Sequence, residues 1–201
     1  MKVWAFGDSH AAKFGGTFEL VGPPAPTAYG LANEESESQS LFMLRQMLHE
    51  VGPEDIVLFV LGEIDCRVHI YRQHILTGKS YFDICKEIIF DCYGRIIKAV
   101  RDDNDVNVAV LDIPPATAQE NVYELDHYAS RDERAKIIFL FNWTLGKWCH
   151  DNDVCFVELW PYITDERGWL DDRYAVWDGA HVMNTAVPFV VKELEKCFPN
   201  L

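Results

Sequence analysis

Short apolar runs alternate with longer amphipathic segments along this chain. The apolar runs, which are typical of buried strands, lie near residues 2–6, 18–21, 56–61, 106–112 and 154–159. Segments with helical periodicity lie near residues 38–50, 82–101, 130–150 and 184–197. Strands that alternate with helices favour a parallel sheet covered by helices on both faces. The pattern therefore predicts an α/β fold.

Local signals mark two of the element boundaries. Ser130 followed by Glu133 has the spacing of a capping box and predicts the start of the third helix. Pro114 and Pro115 predict an abrupt end of the fourth strand, because proline cannot donate to a sheet ladder. No repeat or interdomain linker interrupts the pattern, so we predict a single domain over residues 1–201.

Composition excludes several classes of partner. The net charge of −14 disfavours binding to nucleic acid or to an anionic membrane surface. The sequence contains no phosphate-binding loop and no dinucleotide fingerprint, and we predict no cofactor. The six cysteines form no Cys-x-x-Cys pair, and we interpret them as reduced thiols rather than metal ligands or a disulfide framework.

The chain carries no pattern of a targeting or membrane segment. Its first residues run directly into a strand pattern, without the apolar stretch and cleavage site of a secretory signal. No apolar run approaches the roughly 20 residues that a membrane span requires. We expect a cytoplasmic protein.

Two short motifs contain candidate catalytic residues. Gly7-Asp8-Ser9-His10 follows the first apolar run, and Asp178-Gly179-Ala180-His181 precedes the last helix. A serine hydroxyl needs a neutral imidazole to take its proton, and a carboxylate fixes the tautomer of that imidazole. We predict Ser9 as the nucleophile, His181 as the base and Asp178 as the carboxylate.

The two motifs, in this order, resemble those of the SGNH/GDSL hydrolase family of esterases and lipases. The resemblance implies a three-layer α/β/α fold with a mainly parallel five-stranded sheet in the flavodoxin-like order 2-1-3-4-5. In that order the first and third strands end side by side, at the point where ligands bind in open α/β sheets. Gly7-Asp8-Ser9 and Gly62-Glu63-Ile64-Asp65 would then be neighbours.

The same resemblance implies an oxyanion hole built from the Ser9 N–H, a glycine N–H and an asparagine side chain. Gly30 is the predicted glycine, although Gly22 and the pair Gly15-Gly16 are alternatives. Asp65 matches the end of the third block, but Ile64 stands where the family has asparagine.

If the oxyanion hole is complete, another residue must replace the family's asparagine as a hydrogen-bond donor. Arg67 has a charged fork of donors that suits an oxyanion or an anionic substrate, and Asn33 is a second candidate. Alternatively, Arg67 only pairs with Glu63 or Asp65 and fixes the loop. We expect His69 to be a structural residue, because a lone histidine beside apolar residues usually is.

The sequence therefore predicts a serine hydrolase that cleaves a carboxylic ester through an acyl-serine intermediate. The family's breadth suggests an acetyl or other short acyl group on a carbohydrate, so the expected partner is a small-molecule or glycan ester. Two alternatives stay open. One is an acyltransferase, and the other is a binding or regulatory protein that has lost efficient catalysis because of Ile64.

Overall fold

The computed structural model of the protein describes residues 1–22, 26–36, 38–118, 129–176, 178 and 180–200, and Gly179 of the second motif lies outside them. Five parallel strands form its sheet: β1 (Val3–Gly7), β2 (Glu19–Val21), β3 (Ile56–Val60), β4 (Asn107–Leu111) and β5 (Cys155–Val157). The strand order is β2-β1-β3-β4-β5. The predicted parallel sheet and its flavodoxin-like order are confirmed.

Both faces of the sheet are apolar, because neighbouring strands put matching side chains on the same face. One face packs against helices at 40–48, 81–86, 94–104 and 131–151 and carries Trp4, Phe6, Val57, Phe59, Val108 and Val110. The other face packs against a helix at 187–197 and carries Val3, Ala5, Leu58, Val60, Ala109 and Leu111. Two buried clusters on opposite sides of one sheet define the three layers, as expected from the continuous apolar runs.

The helices are α1 (Ser40–Leu48), α2 (Ile70–Thr77), α3 (Tyr81–Lys86), α4 (Gly94–Asn104), α5 (Arg131–Asp151), α6 (Trp160–Ile163) and α7 (Val187–Cys197). Wider π-type turns at Asp65–His69 and Glu87–Tyr93 precede α2 and α4, and 3₁₀ turns lie at Ala11–Phe14, Gly30–Ala32 and Asn184–Ala186. The capping box of Ser130 and Glu133 is present at the start of α5. No helix in the described part of the chain is both long and apolar enough to cross a membrane.

The helical segment after β3 was not predicted from the periodicity. It begins within the third block and continues through the π-type turn at Asp65–His69 into α2. Gly62 permits this abrupt change of direction, since its φ of +125° is rarely adopted by other residues. A Cβ there would also lie 2.8 Å from Ile113 and Phe141 side-chain atoms.

One interpretation of the cysteines is wrong. Cys155 of β5 and Cys197, the last residue of α7, form a disulfide with their Cα atoms 6.1 Å apart. The partners are 42 positions apart in sequence, and only the packing of α7 beside β5 brings them together. Cys66, Cys85, Cys92 and Cys149 are free thiols, as expected.

The end of β1 lies unusually close to the end of β3. A Cβ at Gly7 would lie 2.1 Å from the Val60 carbonyl oxygen, so a larger residue would push the strands apart. The Asp8 N–H donates to the same carbonyl at 3.1 Å. This contact fixes the loop that carries Ser9 beside the third block.

Candidate active site

Ser9, His181 and Asp178 lie in one chain of contacts at the carboxyl edge of the sheet. The Nε2 atom of His181 is 2.6 Å from the Ser9 hydroxyl oxygen, and its Nδ1 atom is 2.7 Å from Asp178 Oδ2. Ser9 is exposed, whereas the other two side chains are partly buried. The fold thus brings together the three residues that the motifs suggested, across 172 positions of sequence.

The loop around Asp178 is organised by that carboxylate. Its Oδ1 atom accepts hydrogen bonds from the Ala180 and His181 N–H groups, both at 3.0 Å. Burial alone would raise the pKa of Asp178, but these hydrogen bonds and the contact with His181 lower it below its ordinary value. An isolated antiparallel bridge between Ala175 and Val182 holds the two ends of the loop together.

His181 is set up as a neutral imidazole. Burial lowers its pKa, and this effect outweighs the opposing hydrogen bond to Asp178. A neutral ring with Nδ1–H donated to a carboxylate leaves Nε2 free to accept a proton from the serine. The geometry therefore matches the requirement of a general base acting on a hydroxyl nucleophile.

A second Asp–His pair lies beside the first one, and sequence reasoning missed it. The Nδ1 atom of His10 is 3.2 Å from Asp8 Oδ1, and both residues are almost fully buried. The rings of His10 and His181 have centroids 5.0 Å apart. The only sequence signal was the histidine directly after Ser9.

Gly30 and Asp65 belong to one hydrogen-bonded segment near the third block. Asp65 is fully buried and accepts from the N–H groups of Ala28 at 2.7 Å and Tyr29 at 3.2 Å. Burial raises the pKa of its carboxyl despite these bonds. The Gly30 N–H donates to the Thr27 hydroxyl at 2.8 Å. Asp65 therefore anchors the segment that contains Gly30, and that glycine's N–H already has an acceptor.

Arg67 forms an ion pair with Glu63, with 3.0 Å between Nε and Oε1. Pairing with Glu63 was the predicted alternative to a role of Arg67 as oxyanion donor. Burial raises the pKa of Glu63 in spite of the positive charge of Arg67. Between them on the helix lies Ile64, whose partly buried side chain has no polar atom to donate.

Beyond Gly30 lies a cavity of about 1030 Å³. Hydroxyl and amide groups form much of its wall: Thr27, Ser36, Ser38, Asn33, Gln39 and Gln73. Its apolar side chains are Met43, Ile84 and Ile88, while Tyr29, His69, Lys79, Glu35 and Glu87 complete the lining together with Gly30. Asn33 and His69 are thus cavity residues.

Within the described ranges, no three His, Cys, Asp or Glu residues form a group suited to a metal ion.

Comparison with solved structures shows that this parallel 2-1-3-4-5 sheet is the fold of SGNH/GDSL hydrolases. A GDSL-like lipase from Bacteroides thetaiotaomicron has a TM-score of 0.59 and 16% identity, covering 99% of this chain and 88% of its own. A carbohydrate acetylesterase from Sinorhizobium meliloti has a TM-score of 0.62 and 13% identity, covering 98% and 97%. No family model and no curated protein sequence matches the chain.

Proposed function

We propose that the protein is a serine hydrolase that cleaves a carboxylic ester through an acyl-serine intermediate. The observation that carries this proposal is the unbroken contact chain from Asp178 through His181 to Ser9. Distances of 2.7 and 2.6 Å lie within the range for a carboxylate–imidazole–hydroxyl relay. Neighbours of the same fold that are named lipase or acetylesterase support this reaction class.

In the proposed mechanism, Ser9 Oγ attacks the ester carbonyl while its proton passes to Nε2 of His181. Asp178 stabilises the imidazolium and holds the ring in one orientation. When the tetrahedral intermediate collapses, the imidazolium gives its proton to the leaving alcohol. Water then attacks the acyl-serine with His181 again as base, which releases the acid and restores Ser9.

The developing oxyanion needs donors, and the Ser9 N–H is one candidate. No backbone carbonyl among the described residues accepts from it. In this proposal the Gly30 N–H supplies the second donor. It would exchange its hydrogen bond to Thr27 for one to the oxyanion, while Asp65 anchors the segment. Arg67 supplies positive charge close to the third block, where the family has asparagine.

For the substrate, we propose a short acyl ester of a polyhydroxylated alcohol such as a sugar. The cavity beside the Gly30 segment combines hydroxyl and amide groups with apolar side chains. Such a lining suits a sugar, because the polar groups can bond to its hydroxyls and the apolar side chains can contact its ring. A carbohydrate acetylesterase among the structural neighbours supports the same choice.

Ile64 favours a second candidate, a protein of this fold with weak catalysis that mainly binds its ligand. Loss of one oxyanion donor typically lowers turnover by about 100- to 1,000-fold. The test is Ile64→Asn: a large gain in turnover would support this candidate, whereas no gain would favour a hole completed by another donor. Acyl transfer to an alcohol is distinguished by adding sugar acceptors during p-nitrophenyl acetate turnover and analysing for acylated sugar.

The central test is covalent labelling with a fluorophosphonate probe. The wild-type protein should be labelled on Ser9, and Ser9→Ala should not be labelled. Ser80→Ala is the matched control, because Ser80 is an exposed cap of α3 far along the chain. Labelling of the Ser9→Ala variant at the wild-type rate, or an inert wild-type protein, would contradict the proposal.

A further inference from the structure

His10 is a buried histidine whose two ring nitrogens both face oxygen atoms. Nδ1 lies 3.2 Å from Asp8 Oδ1, and Nε2 lies 3.2 Å from the Ala180 carbonyl oxygen. A carbonyl oxygen only accepts, so Nε2 must carry a proton to bond with it. An ionised carboxylate likewise accepts from Nδ1. The imidazolium is therefore the form of His10 that satisfies both contacts at once.

The contact with Ala180 joins the two halves of the candidate site. Ala180 directly precedes His181, and its N–H is held by Asp178. His10 directly follows Ser9, and its own N–H donates to Asp8 at 2.8 Å. A single side chain thus links the nucleophile loop to the base loop across 170 positions of sequence.

The electrostatic surroundings of the two rings differ. His10 faces the acidic groups Asp8 and Glu63, and Glu63 in turn faces Arg67 and Arg134. Burial alone would lower the pKa of His10, but the hydrogen bond to Asp8 and these negative charges raise it overall.

His181 has the opposite balance. It faces Asp178 on one side and two positive groups, His10 and Lys13, on the other. With burial, the charge of His10 lowers the pKa of His181, whereas Asp178 raises it. A cation 5.0 Å from an imidazole disfavours its protonated form.

We propose that His10 is a positioning residue: as an imidazolium held between Asp8 and the Ala180 carbonyl, it aligns His181 with Ser9 and keeps His181 in its neutral, proton-accepting form. This proposal rests on the proposed hydrolase function for its catalytic consequence. Its structural content, a charge and a tether acting on His181, stands independently of any substrate.

Two variants separate the tether from the charge. In His10→Gln, the side-chain amide nitrogen replaces Nε2, which keeps a donor for the Ala180 carbonyl but removes the charge. In His10→Asn, the amide nitrogen replaces Nδ1, and both the tether and the charge are lost. His150→Gln is the matched control, because His150 pairs with Asp151 at 3.5 Å on the exposed end of α5.

The first measurement is the pH dependence of kcat/KM for p-nitrophenyl acetate. Loss of activity at low pH reports protonation of the base. Removing a positive charge 5.0 Å away should move this acidic limb upward by about 0.5 to 2 pH units in both His10 variants. His10→Asn should also lower kcat at the pH optimum by about tenfold or more, because a slightly misplaced base is costly. His150→Gln should leave the profile unchanged.

The second measurement is NMR titration of the His181 ring in the wild-type protein and in His10→Gln, with circular dichroism as the folding control. A higher midpoint for His181 in the variant is expected even if no ester is hydrolysed. An unchanged His181 midpoint would overturn the electrostatic part of the proposal. Equal kcat values for His10→Asn and His10→Gln would overturn the tether. An inactive wild-type protein with a shifted midpoint would instead contradict only the proposed hydrolase function.

Discussion

The two neighbouring Asp–His pairs place a carboxylate on Nδ1 in the same way but differ at the other ring nitrogen. In Asp178–His181 the second nitrogen faces a hydroxyl, whereas in Asp8–His10 it faces a carbonyl. A hydroxyl can give up a proton, but a carbonyl can only accept one. Under our two proposals, the same pair of residue types therefore makes a base in one place and a fixed cation in the other.

Removing the hydroxyl is expected to have the largest effect. Ser9→Ala should abolish ester hydrolysis, since loss of the nucleophile costs about a million-fold in comparable enzymes. Ser9 is exposed, so the fold should be unaffected. Activity on p-nitrophenyl acetate, with circular dichroism for folding, is the measurement. Hydrolysis at the wild-type rate would remove Ser9 from the mechanism and end the distinction between the two pairs.

The next effect comes from the carboxylates of the two pairs. Asp178→Asn should lower kcat by about 10,000-fold, because an amide can hold the wrong imidazole tautomer. Asp8→Asn should lower kcat by less than about tenfold, since in our proposal Asp8 acts on the reaction through His10. Parallel kinetics of both variants check this difference. Losses of similar size would mean that both pairs take part directly in proton transfer.

Arg67 tests whether the charges around the second pair reach the reaction. If it supplies an oxyanion donor, Arg67→Ala should lower kcat by about 100-fold with little change in KM. If it binds an anionic substrate, KM should rise and neutral esters should be spared.

The ion pair with Glu63 requires a control for this experiment. Removing Arg67 alone leaves the mostly buried carboxyl of Glu63 without its ion-pair partner, and burial already raises the pKa of Glu63. The double variant Glu63→Gln/Arg67→Ala avoids that charge. If it has wild-type kinetics while the single variant is merely less stable, Arg67 is structural.

A separate effect, on stability rather than on turnover, concerns a buried carboxyl that has no histidine beside it among the described residues. Asp112 follows β4 and accepts from the N–H groups of Leu159 and Trp160 at 3.0 and 3.2 Å. Burial raises its pKa from 3.8 to about 8. The folded state therefore holds this proton more tightly than the unfolded chain does. Its contribution to stability is full below about pH 4 and is lost as the pH rises to about 8.

Asp112→Asn removes this dependence. The free energy of unfolding of the variant, relative to wild type, should increase by up to about 1.4 kcal/mol per pH unit across that interval. Urea titrations at several pH values measure it. A difference that stays constant with pH would show that Asp112 does not titrate as described. Asp8, by contrast, has an imidazole partner to balance its charge.

The sheet was predictable because its strands are buried on both faces. Runs such as Ile56–Val60 contain only apolar residues, whereas a helix on the surface would need polar residues on its solvent-facing side. The segment from Asp65 to Thr77 was missed for the opposite reason, since α2 buries only Ile70 and carries mostly polar side chains. The disulfide of Cys155 and Cys197 was unpredictable because it depends on how α7 packs on β5, which no local pattern encodes.

The candidate site divides in the same way. Ser9, Asp178 and His181 stand in short motifs whose spacing already suggests their chemistry. The role of His10 depends on a contact with a carbonyl 170 positions away, and only the folded chain contains it. The sequence left two acidic partners open for Arg67, and only the folded chain shows that it pairs with Glu63.

The separation of 172 positions between Ser9 and His181 also has a consequence for biosynthesis. The ribosome releases Ser9 well before His181, so under our proposal the nascent polypeptide lacks its base until residue 181 has left the exit tunnel. Translation adds about 5 to 20 residues each second, so this interval lasts about 10 to 30 seconds. During that time the proposed nucleophile would have no general base to activate it. Hydrolytic activity would begin only once α7 has docked on the sheet, which makes catalysis itself a reporter of completed folding.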